Sequence, residues 1–298
     1  MIELLYDVDH QITFRWLIAL YFYFTGMSAG SFVISTLAYG FGMTKFKPAG
    51  KVGVVMATVL LFIAPVMLLL QVGWPVRSIW NHFTYLNFHS PMTYGAFLLL
   101  AYPVNCMIYG YFMFKGDMKR TKIFGLIGIP LAVTVHGYTG FILAFGKARA
   151  FWNTALMPFL FLVSAVVSGL ALMILILMIK DRFFSKERKV NTEIVYTLAS
   201  MLGWLIVFDL FLVFCDISTL SISHTEAKET AHLLLFGEMS PLFLGVENLF
   251  GKIIPMIIVL TPRFRNITTI AIASVFVVIG ILFMRFVVVY GGQVLPII

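Results

Sequence analysis

Runs of apolar residues long enough to cross a lipid bilayer dominate this sequence of 298 residues. The hydrocarbon core of a bilayer needs a helix of about 20 apolar residues, and runs of that size occur eight times. Hydrophobic residues make up 61% of the chain and charged residues only 11%, a balance that excludes an ordinary soluble domain. We therefore predict an all-α membrane protein with eight transmembrane helices. The predicted spans are Phe14–Phe41, Val52–Gly73, Pro91–Phe114, Ile123–Phe145, Asn153–Ile179, Glu193–Cys215, Pro241–Leu260 and Ile267–Tyr290.

The 21 basic residues are distributed unevenly along the chain. Most of them lie in the connections that follow spans one, three, five and seven. Because cytoplasmic loops of membrane proteins carry an excess of lysine and arginine, we expect these connections to be cytoplasmic. Both termini are then extracytoplasmic, with the protein in the cell (inner) membrane. The formal net charge of +8 is thus a topology signal, and we expect no nucleic-acid partner.

A short motif recurs four spans apart. Ser90–Gly95 and Ser240–Gly245 both follow the pattern S-P-x-x-x-G. An even spacing gives two halves of the same orientation, which predicts two parallel four-helix bundles in residues 1–150 and 151–298. Chance recurrence is the alternative, because proline is common in the first turn of a helix.

Polar residues inside the predicted spans are candidate functional residues, since such groups are costly in lipid. At a rise of about 1.5 Å per residue, Tyr21 and Thr25 lie in the outer half of the first span. Gln71 ends the second span near the same face, and the fourth span carries His136 and Tyr138 at a similar depth. We expect these side chains to form one site in the outer leaflet.

Spans six and seven carry a second group of polar residues, Asp209, Glu247 and Lys252, which are candidates for a proton relay. Each group also has a purely structural interpretation. Asp209 and Lys252 could form an ion pair that only stabilises the fold. Tyr21 could be one of the tyrosines that line a membrane interface, and His136 could be a hydrogen-bond donor between helices.

No metal ligand set is evident in the sequence. A haem held between helices needs two histidines at matched depth, and His136 is the only histidine well inside a predicted span. The two cysteines, Cys106 and Cys215, cannot supply the ligands of an iron–sulfur cluster, and no glycine-rich nucleotide motif is present. We therefore expect no haem, cluster or other metal in this chain. Any redox chemistry then depends on a lipophilic carrier.

Three sequence blocks, in order, indicate a family. The first is LLLQVGWPVRSIW followed by FHSPMTYGAFLLL, the second begins with HGYTG at His136, and the third is PLFLGVENLFGKIIP. With eight spans, this order resembles the NrfD family, whose best-known type is the membrane subunit of polysulfide reductase. The resemblance implies a subunit that binds quinone, with menaquinone expected, and docks an iron–sulfur protein bearing several four-iron clusters. That protein commonly serves a molybdopterin catalytic subunit.

The resemblance also implies roles for individual residues. Tyr138 matches the tyrosine that hydrogen-bonds the quinone headgroup, and Tyr21 lies where relatives place another polar ligand. Arg77 matches an arginine after the G-x-P motif that would bias the pocket electrostatically. The loops expected to contact the iron–sulfur partner contain Trp80, Arg149 and Trp152.

One position departs from the family pattern. Gln71 stands where family members often carry an acid, and an amide cannot take up a proton as a carboxylate does. We expect His136 to take this role, because an unperturbed imidazole titrates near neutral pH. Asp209 and Glu247 are candidates for onward transfer, and coupled proton translocation stays open.

Two other functions fit the sequence. A secondary transporter or ion channel could use Asp209, Glu247 and Lys252 near the membrane midplane. A quinone-free membrane anchor would only tether its partner subunits.

Overall fold

The computed structural model describes residues 12–184 and 191–295. This part of the chain is helical and contains no strand. Eight stretches within it are long and apolar enough to cross a membrane, which confirms the predicted fold class. The helices are α1 (Trp16–Tyr39), α2 (Lys47–Val72), α3 (Pro75–Thr84), α4 (Pro91–Lys115), α5 (Met118–Ala144), α6 (Met157–Ile179), α7 (Thr192–Ile222), α8 (Thr225–Leu235), α9 (Ile254–Leu260) and α10 (Ile267–Val294).

Three further helical segments extend this set. A short 3-10 turn, Thr44–Phe46, precedes α2, and a π-helical turn, Lys180–Phe184, follows α6. The segment Pro241–Ile253 is a π-helix that continues directly into α9, and together they form the seventh span. The short helices α3 and α8 each precede one copy of the S-P-x-x-x-G motif.

The predicted end of the sixth span at Cys215 is wrong, because α7 continues for about two more turns to Ile222. No glycine or proline interrupts the chain there, and the helix ends only where Ser223 adopts an extended backbone. The predicted start of the fourth span is likewise late. Asp117 caps α5 by accepting a hydrogen bond from the backbone N–H of Arg120, so this helix begins about one turn before Ile123.

Contacts can be traced through spans one to four and through spans five to eight, which we call the first and second sets. In the first set, α1 contacts α2 and α5, and α4 closes the ring between them. The second set repeats this order with α6, α7, the π-helix with α9, and α10. Helix α1 also packs extensively along α6 and α10. The division into two bundles with a boundary at residue 150 stays a prediction.

The contact between α1 and α6 depends on two glycines. A Cβ atom built on Gly30 would lie 2.6 Å from the Cα of Gly169, which is closer than real Cβ contacts. Small residues let helix backbones approach in membranes. The segment from Gly26 to Gly30 is therefore a packing surface, and α1 is the most buried of the spans.

The start of α1 lies together with the ends of several other spans at one end of the molecule. The backbone N–H of Phe14 donates to Gln293 Oε1 over 2.9 Å, and Gln71 Nε2 donates to the carbonyl oxygen of Thr13 over 3.2 Å. The ring of Phe14 lies 5.7 Å from that of Trp152, just before α6. We call this end the N-terminal face. The chain termini themselves, residues 1–11 and 296–298, lie outside the described residues, so their extracytoplasmic position stays a prediction.

The π-helix sets the register of the seventh span. A π-helix closes hydrogen bonds between residues five apart instead of four, and its wider turn brings such residues towards the same face. Lys252 Nζ donates to Glu247 Oε1 over 2.9 Å, and Asn248 Nδ2 donates to the carbonyl oxygen of Phe243 over 2.7 Å. Both bonds join residues five apart, a spacing that an ordinary α-helix would direct to different faces.

Candidate functional site

His136 on α5 lies against α1 in the interior of the first set of helices. Its side chain is 1% exposed. The ring atom Nε2 lies 2.5 Å from the carbonyl oxygen of Thr25, and Nδ1 lies 2.6 Å from the carbonyl oxygen of Ala132. Carbonyl oxygens only accept hydrogen bonds, so both bonds are made at once only when the ring carries two protons. The imidazole of His136 can therefore gain or lose one proton and still keep at least one of these two hydrogen bonds.

Two tyrosines lie on the same two helices as this contact, Tyr138 two residues after His136 on α5 and Tyr21 on α1. Tyr21 is one helical turn before Thr25, whose hydroxyl donates to the Tyr21 carbonyl oxygen over 2.7 Å. The phenol group of Tyr21 is close enough to that of Tyr138 for an electrostatic interaction. Tyr21 is buried and Tyr138 is half-buried. Among the described residues, neither hydroxyl has a hydrogen-bond partner, so both are free to bind a ligand.

Gly95 of the S-P-x-x-x-G motif shapes this site. A Cβ atom at position 95 would overlap the ring of Tyr138. The ring of Tyr138 thus packs on the bare backbone of α4. Sequence reasoning identified the motif but not this role, and the glycine at its sixth position was the available signal. In the second copy of the motif, a Cβ atom at Gly245 would meet no atom within 4 Å.

Gln71 and Arg77 lie at the N-terminal face, apart from the tyrosines. Gln71 holds Thr13 through its amide nitrogen, while its Oε1 is buried without a hydrogen-bond partner. Arg77 is exposed on α3 and lines a surface groove of about 490 Å³. Within the part of the chain that the structure describes, no bond joins Gln71 or Arg77 to Tyr21, His136 or Tyr138. The groove is also lined by Val72, Trp74, Ser78, Asn81 and Tyr85.

The three residues expected to contact a partner differ in exposure. Trp80 on α3 is 70% exposed. Trp152, in contrast, is 6% exposed, and its indole N–H donates to the carbonyl oxygen of Val288 over 2.7 Å. Arg149 is half-buried and donates to the carbonyl oxygen of Leu295 over 2.5 Å. Trp152 and Arg149 therefore join the connection before α6 to α10, and Trp80 is the one of the three with a largely free side chain.

Three charged residues meet in the interior of the second set of helices. Lys252 Nζ lies 2.8 Å from Asp209 Oδ2 and 2.9 Å from Glu247 Oε1. All three side chains are buried. The sequence-based suggestion of an Asp209–Lys252 ion pair is correct in its geometry, and Glu247 joins the same ammonium group. One lysine cannot neutralise two ionised carboxylates.

Sequence reasoning missed a fourth charge, Arg285 on α10, which is 1% exposed. Its Nη2 donates to Ser164 Oγ over 2.7 Å and to the carbonyl oxygen of Phe161 over 3.2 Å. The guanidinium also lies 3.9 Å from the centre of the Phe161 ring. The available signal was its position inside the eighth predicted span.

Arg285 lies between the two groups of polar residues. Its charge interacts with Asp209 and Glu247 in the second set of helices and with His136 in the first. If both carboxylates are ionised, Arg285 balances the charge that Lys252 leaves over. The tyrosine–histidine site and the buried charges are therefore electrostatically connected. In the described ranges 12–184 and 191–295, no three His, Cys, Asp or Glu residues are grouped so that they could hold a metal ion.

The sequence model of the family described as "Polysulphide reductase, NrfD" matches residues 7–297. The chain belongs to this family. Among NrfD-family relatives, it is 27% identical to a subunit of selenate reductase from Mesobacillus selenatarsenatis, over 94% of this chain and 74% of the relative. It is 30% identical to the Hdr-like menaquinol oxidoreductase integral membrane subunit of Archaeoglobus fulgidus, over 92% of this chain and 69% of that protein. With a subunit of polysulfide reductase from Wolinella succinogenes it shares 25% identity over 95% of both chains.

Membership of the NrfD family confirms the resemblance on which the sequence-based roles depend. The family comprises membrane subunits of oxidoreductase complexes. This NrfD chain is accordingly a multi-pass integral membrane protein of an oxidoreductase family.

Proposed function

We propose that this chain is the quinone-reactive membrane subunit of a multi-subunit respiratory oxidoreductase. It binds a quinone or quinol between α1 and α5 and exchanges electrons with a peripheral iron–sulfur subunit, which in turn serves a molybdopterin catalytic subunit. The observation that carries the proposal is the proximity of Tyr21 to Tyr138, whose hydroxyls have no hydrogen-bond partner among the described residues, on the two helices that the buried His136 joins through the Thr25 carbonyl oxygen. The relative named menaquinol oxidoreductase subunit makes menaquinone the first choice of quinone.

The donor set fits a quinone headgroup. A bound quinol that is oxidised supplies two electrons and two protons. The phenol groups of Tyr21 and Tyr138 can donate to, or accept from, the oxygens of such a headgroup. Gly95 leaves the space beside α4 that the ring and hydroxyl of Tyr138 occupy.

His136 provides a place for a proton next to these tyrosines. Its Nε2 faces the carbonyl oxygen of Thr25, so a proton held there is stabilised in the absence of water. Asp209, Glu247 and Lys252 are the groups proposed for onward transfer, and Arg285 lies within electrostatic reach of them and of His136. These residues form the proposed proton relay.

The N-terminal face is the proposed docking surface for the iron–sulfur subunit. Trp80 and Arg77 on α3 are exposed there, and the charge distribution among the loops supports an extracytoplasmic position of this face. Trp152 and Arg149 are engaged in internal bonds, so we assign them the role of shaping this surface. The relatives are named as subunits of reductases or oxidoreductases, and this makes the transporter alternative the weaker one.

The proposal can be tested with Tyr138→Phe in the complex purified through a tag on this chain. Loss of one hydrogen bond to the headgroup should lower quinol-dependent turnover about tenfold, which corresponds to about 1.4 kcal/mol. Activity of the peripheral subunits with an artificial electron donor should not change. Tyr111→Phe is the control, because Tyr111 is an exposed tyrosine near the opposite end of α4.

A second measurement distinguishes a quinone site from a passive anchor. An azido-quinone should label α1 or α5 in wild type, and excess menaquinone should suppress this labelling. Equal quinol turnover in Tyr138→Phe and Tyr111→Phe, or labelling that never saturates, would refute the assignment.

A further inference from the structure

Asp216 is a second buried acid on α7, and neither the family pattern nor the proposed relay includes it. It is 4% exposed and lies two turns from Asp209 towards the N-terminal face. Residues seven positions apart lie on the same side of a helix, so both carboxylates face the interior. The Oδ1 atom of Asp216 has no hydrogen-bond partner among the described residues.

A small cavity joins Asp216 to the buried charges. Its volume is about 20 Å³, and Asp216 and Glu247 both line it. Glu247 Oε2 also has no hydrogen-bond partner in the described part of the chain. Apart from the two acids, the cavity walls are mainly apolar. They include Leu160, Val213, Phe243, Met284 and Val287.

Both size and chemistry suit a single water molecule. A site for one water needs a volume of about 10–15 Å³ and two or more polar partners. Buried oxygen acceptors without donors are costly. A water molecule carries two O–H groups, so it can donate to one oxygen of each acid at the same time.

Asp216 is also connected to the surface of the molecule, through the neighbouring residue Thr154. The hydroxyl of Thr154 lies close enough to the Asp216 carboxylate to donate a hydrogen bond to it. Thr154 is half-buried in the connection before α6, and its neighbours Asn153 and Ala155 are exposed. This connection belongs to the N-terminal face. Asp216 is therefore one hydrogen bond from the boundary of the protein.

We propose that one water molecule bridges Asp216 and Glu247 in this cavity, and that Asp216 is the group through which the buried charges exchange protons with the N-terminal face. The route runs from Glu247 through the water to Asp216 and out past Thr154. A proton that reaches Glu247 from the quinol side passes to the water, which gives one of its own protons to Asp216. Release of that proton past Thr154 and arrival of the next proton at Glu247 return each group to its starting state. This inference rests on the proposed quinone function, because quinol oxidation is the source of the protons.

The test compares Asp216→Asn and Asp216→Glu in the complete complex reconstituted in liposomes. Asparagine keeps hydrogen bonding but cannot carry a proton, whereas glutamate can carry one and reaches further into the cavity. We expect quinol turnover and the coupled proton release, followed with a pH-sensitive dye, to fall about tenfold in Asp216→Asn and to recover at least half in Asp216→Glu. Menaquinone affinity should not change in either variant. Glu193→Gln is the control, because Glu193 is an exposed acid at the other end of α7.

A second variant tests the water without changing any acid. Val213→Leu adds a methylene group to the cavity wall and leaves no room for a water molecule. It should lower turnover severalfold at unchanged menaquinone affinity. X-ray hydroxyl-radical footprinting, which labels side chains next to bound water, should modify Met284 in wild type and much less in Val213→Leu.

The outcomes separate the two proposals. If wild type neither binds menaquinone nor oxidises menaquinol, the proposed function fails. If wild type is active and Asp216→Asn matches Glu193→Gln, only the role of Asp216 is overturned. Equal losses in Asp216→Asn and Asp216→Glu with weaker menaquinone binding would indicate a structural acid and would also overturn it.

Discussion

The ring of Tyr138 on α5 lies over Gly95 on α4, in the space that any side chain at position 95 would occupy. The first S-P-x-x-x-G motif therefore does more than start a helix, because its glycine leaves room for the Tyr138 ring. At Gly245, the matching position of the second motif, the space is empty. The two copies of the motif therefore differ in packing although they are alike in sequence.

Gly95→Ala should move the Tyr138 ring while the fold is kept, because a side chain can shift more cheaply than a backbone. We expect menaquinone affinity to fall about tenfold, or about 1.4 kcal/mol, and unfolding in detergent to change little. A titration of quinone binding measures the effect. Gly245→Ala is the matched control and should bind as wild type does. If the two variants bind alike, Tyr138 does not contact the headgroup.

Lys252→Met should strongly destabilise the protein. It leaves Asp209 and Glu247 buried without their shared cation, and breaking a buried ion pair costs about 3–5 kcal/mol. Thermal or denaturant unfolding in detergent measures this loss. The double variant Asp209→Asn, Lys252→Met should recover most of it, since the remaining carboxylate of Glu247 is balanced by Arg285.

The exposed ion pair between Lys45 and Glu193, at 3.5 Å, provides a comparison. Lys45→Met should change the free energy of unfolding by no more than about 1 kcal/mol, because water already solvates both partners. A loss in Lys252→Met as small as that in Lys45→Met would mean that the buried carboxylates are protonated and need no cation.

Gly30→Ala should weaken the packing of α1 on α6. Its new methyl group would lie 2.6 Å from the Cα of Gly169, so the two helices must move apart. Overpacking of this kind costs about 1–3 kcal/mol. Gly137→Ala, where the added atom meets nothing within 4 Å, should be neutral or slightly stabilising. Equal unfolding midpoints would contradict the close glycine contact.

Two tryptophans test where a partner subunit docks. Trp80→Ala should reduce the amount of iron–sulfur subunit that copurifies with this chain and leave the unfolding temperature as in wild type, because the side chain is 70% exposed. Trp204→Ala is the control, since Trp204 is 68% exposed on the membrane-spanning helix α7. Partner retention equal in the two variants would remove α3 from the docking surface.

Trp152→Phe should behave in the opposite way. It loses the hydrogen bond to Val288, at a cost of about 1 kcal/mol or more including packing. A lower unfolding temperature with full partner retention is the expected result. Partner loss at unchanged stability would instead restore Trp152 as a direct contact.

The sequence by itself determined the class of this protein and the number of its spans. Both depend on properties that add up along the chain, because a bilayer demands about 20 apolar residues per helix whatever the neighbouring helices are. The depths of Tyr21, His136 and Tyr138 followed from the same counting. That the three residues form one site stays a prediction.

Only the tertiary structure decided which buried groups are partners. The wider turn of the π-helix directs Glu247 and Lys252 to the same face, and the length of α7 takes Asp216 into the interior. Packing turns Arg285 towards His136 and the buried acids, and it covers Trp152, which the sequence places in an exposed loop. Apolar content decides that a helix lies in the membrane, but in lipid it does not decide how that helix is rotated. Close contacts such as that between Gly30 and Gly169 decide the rotation, and they depend on residues far apart in the chain.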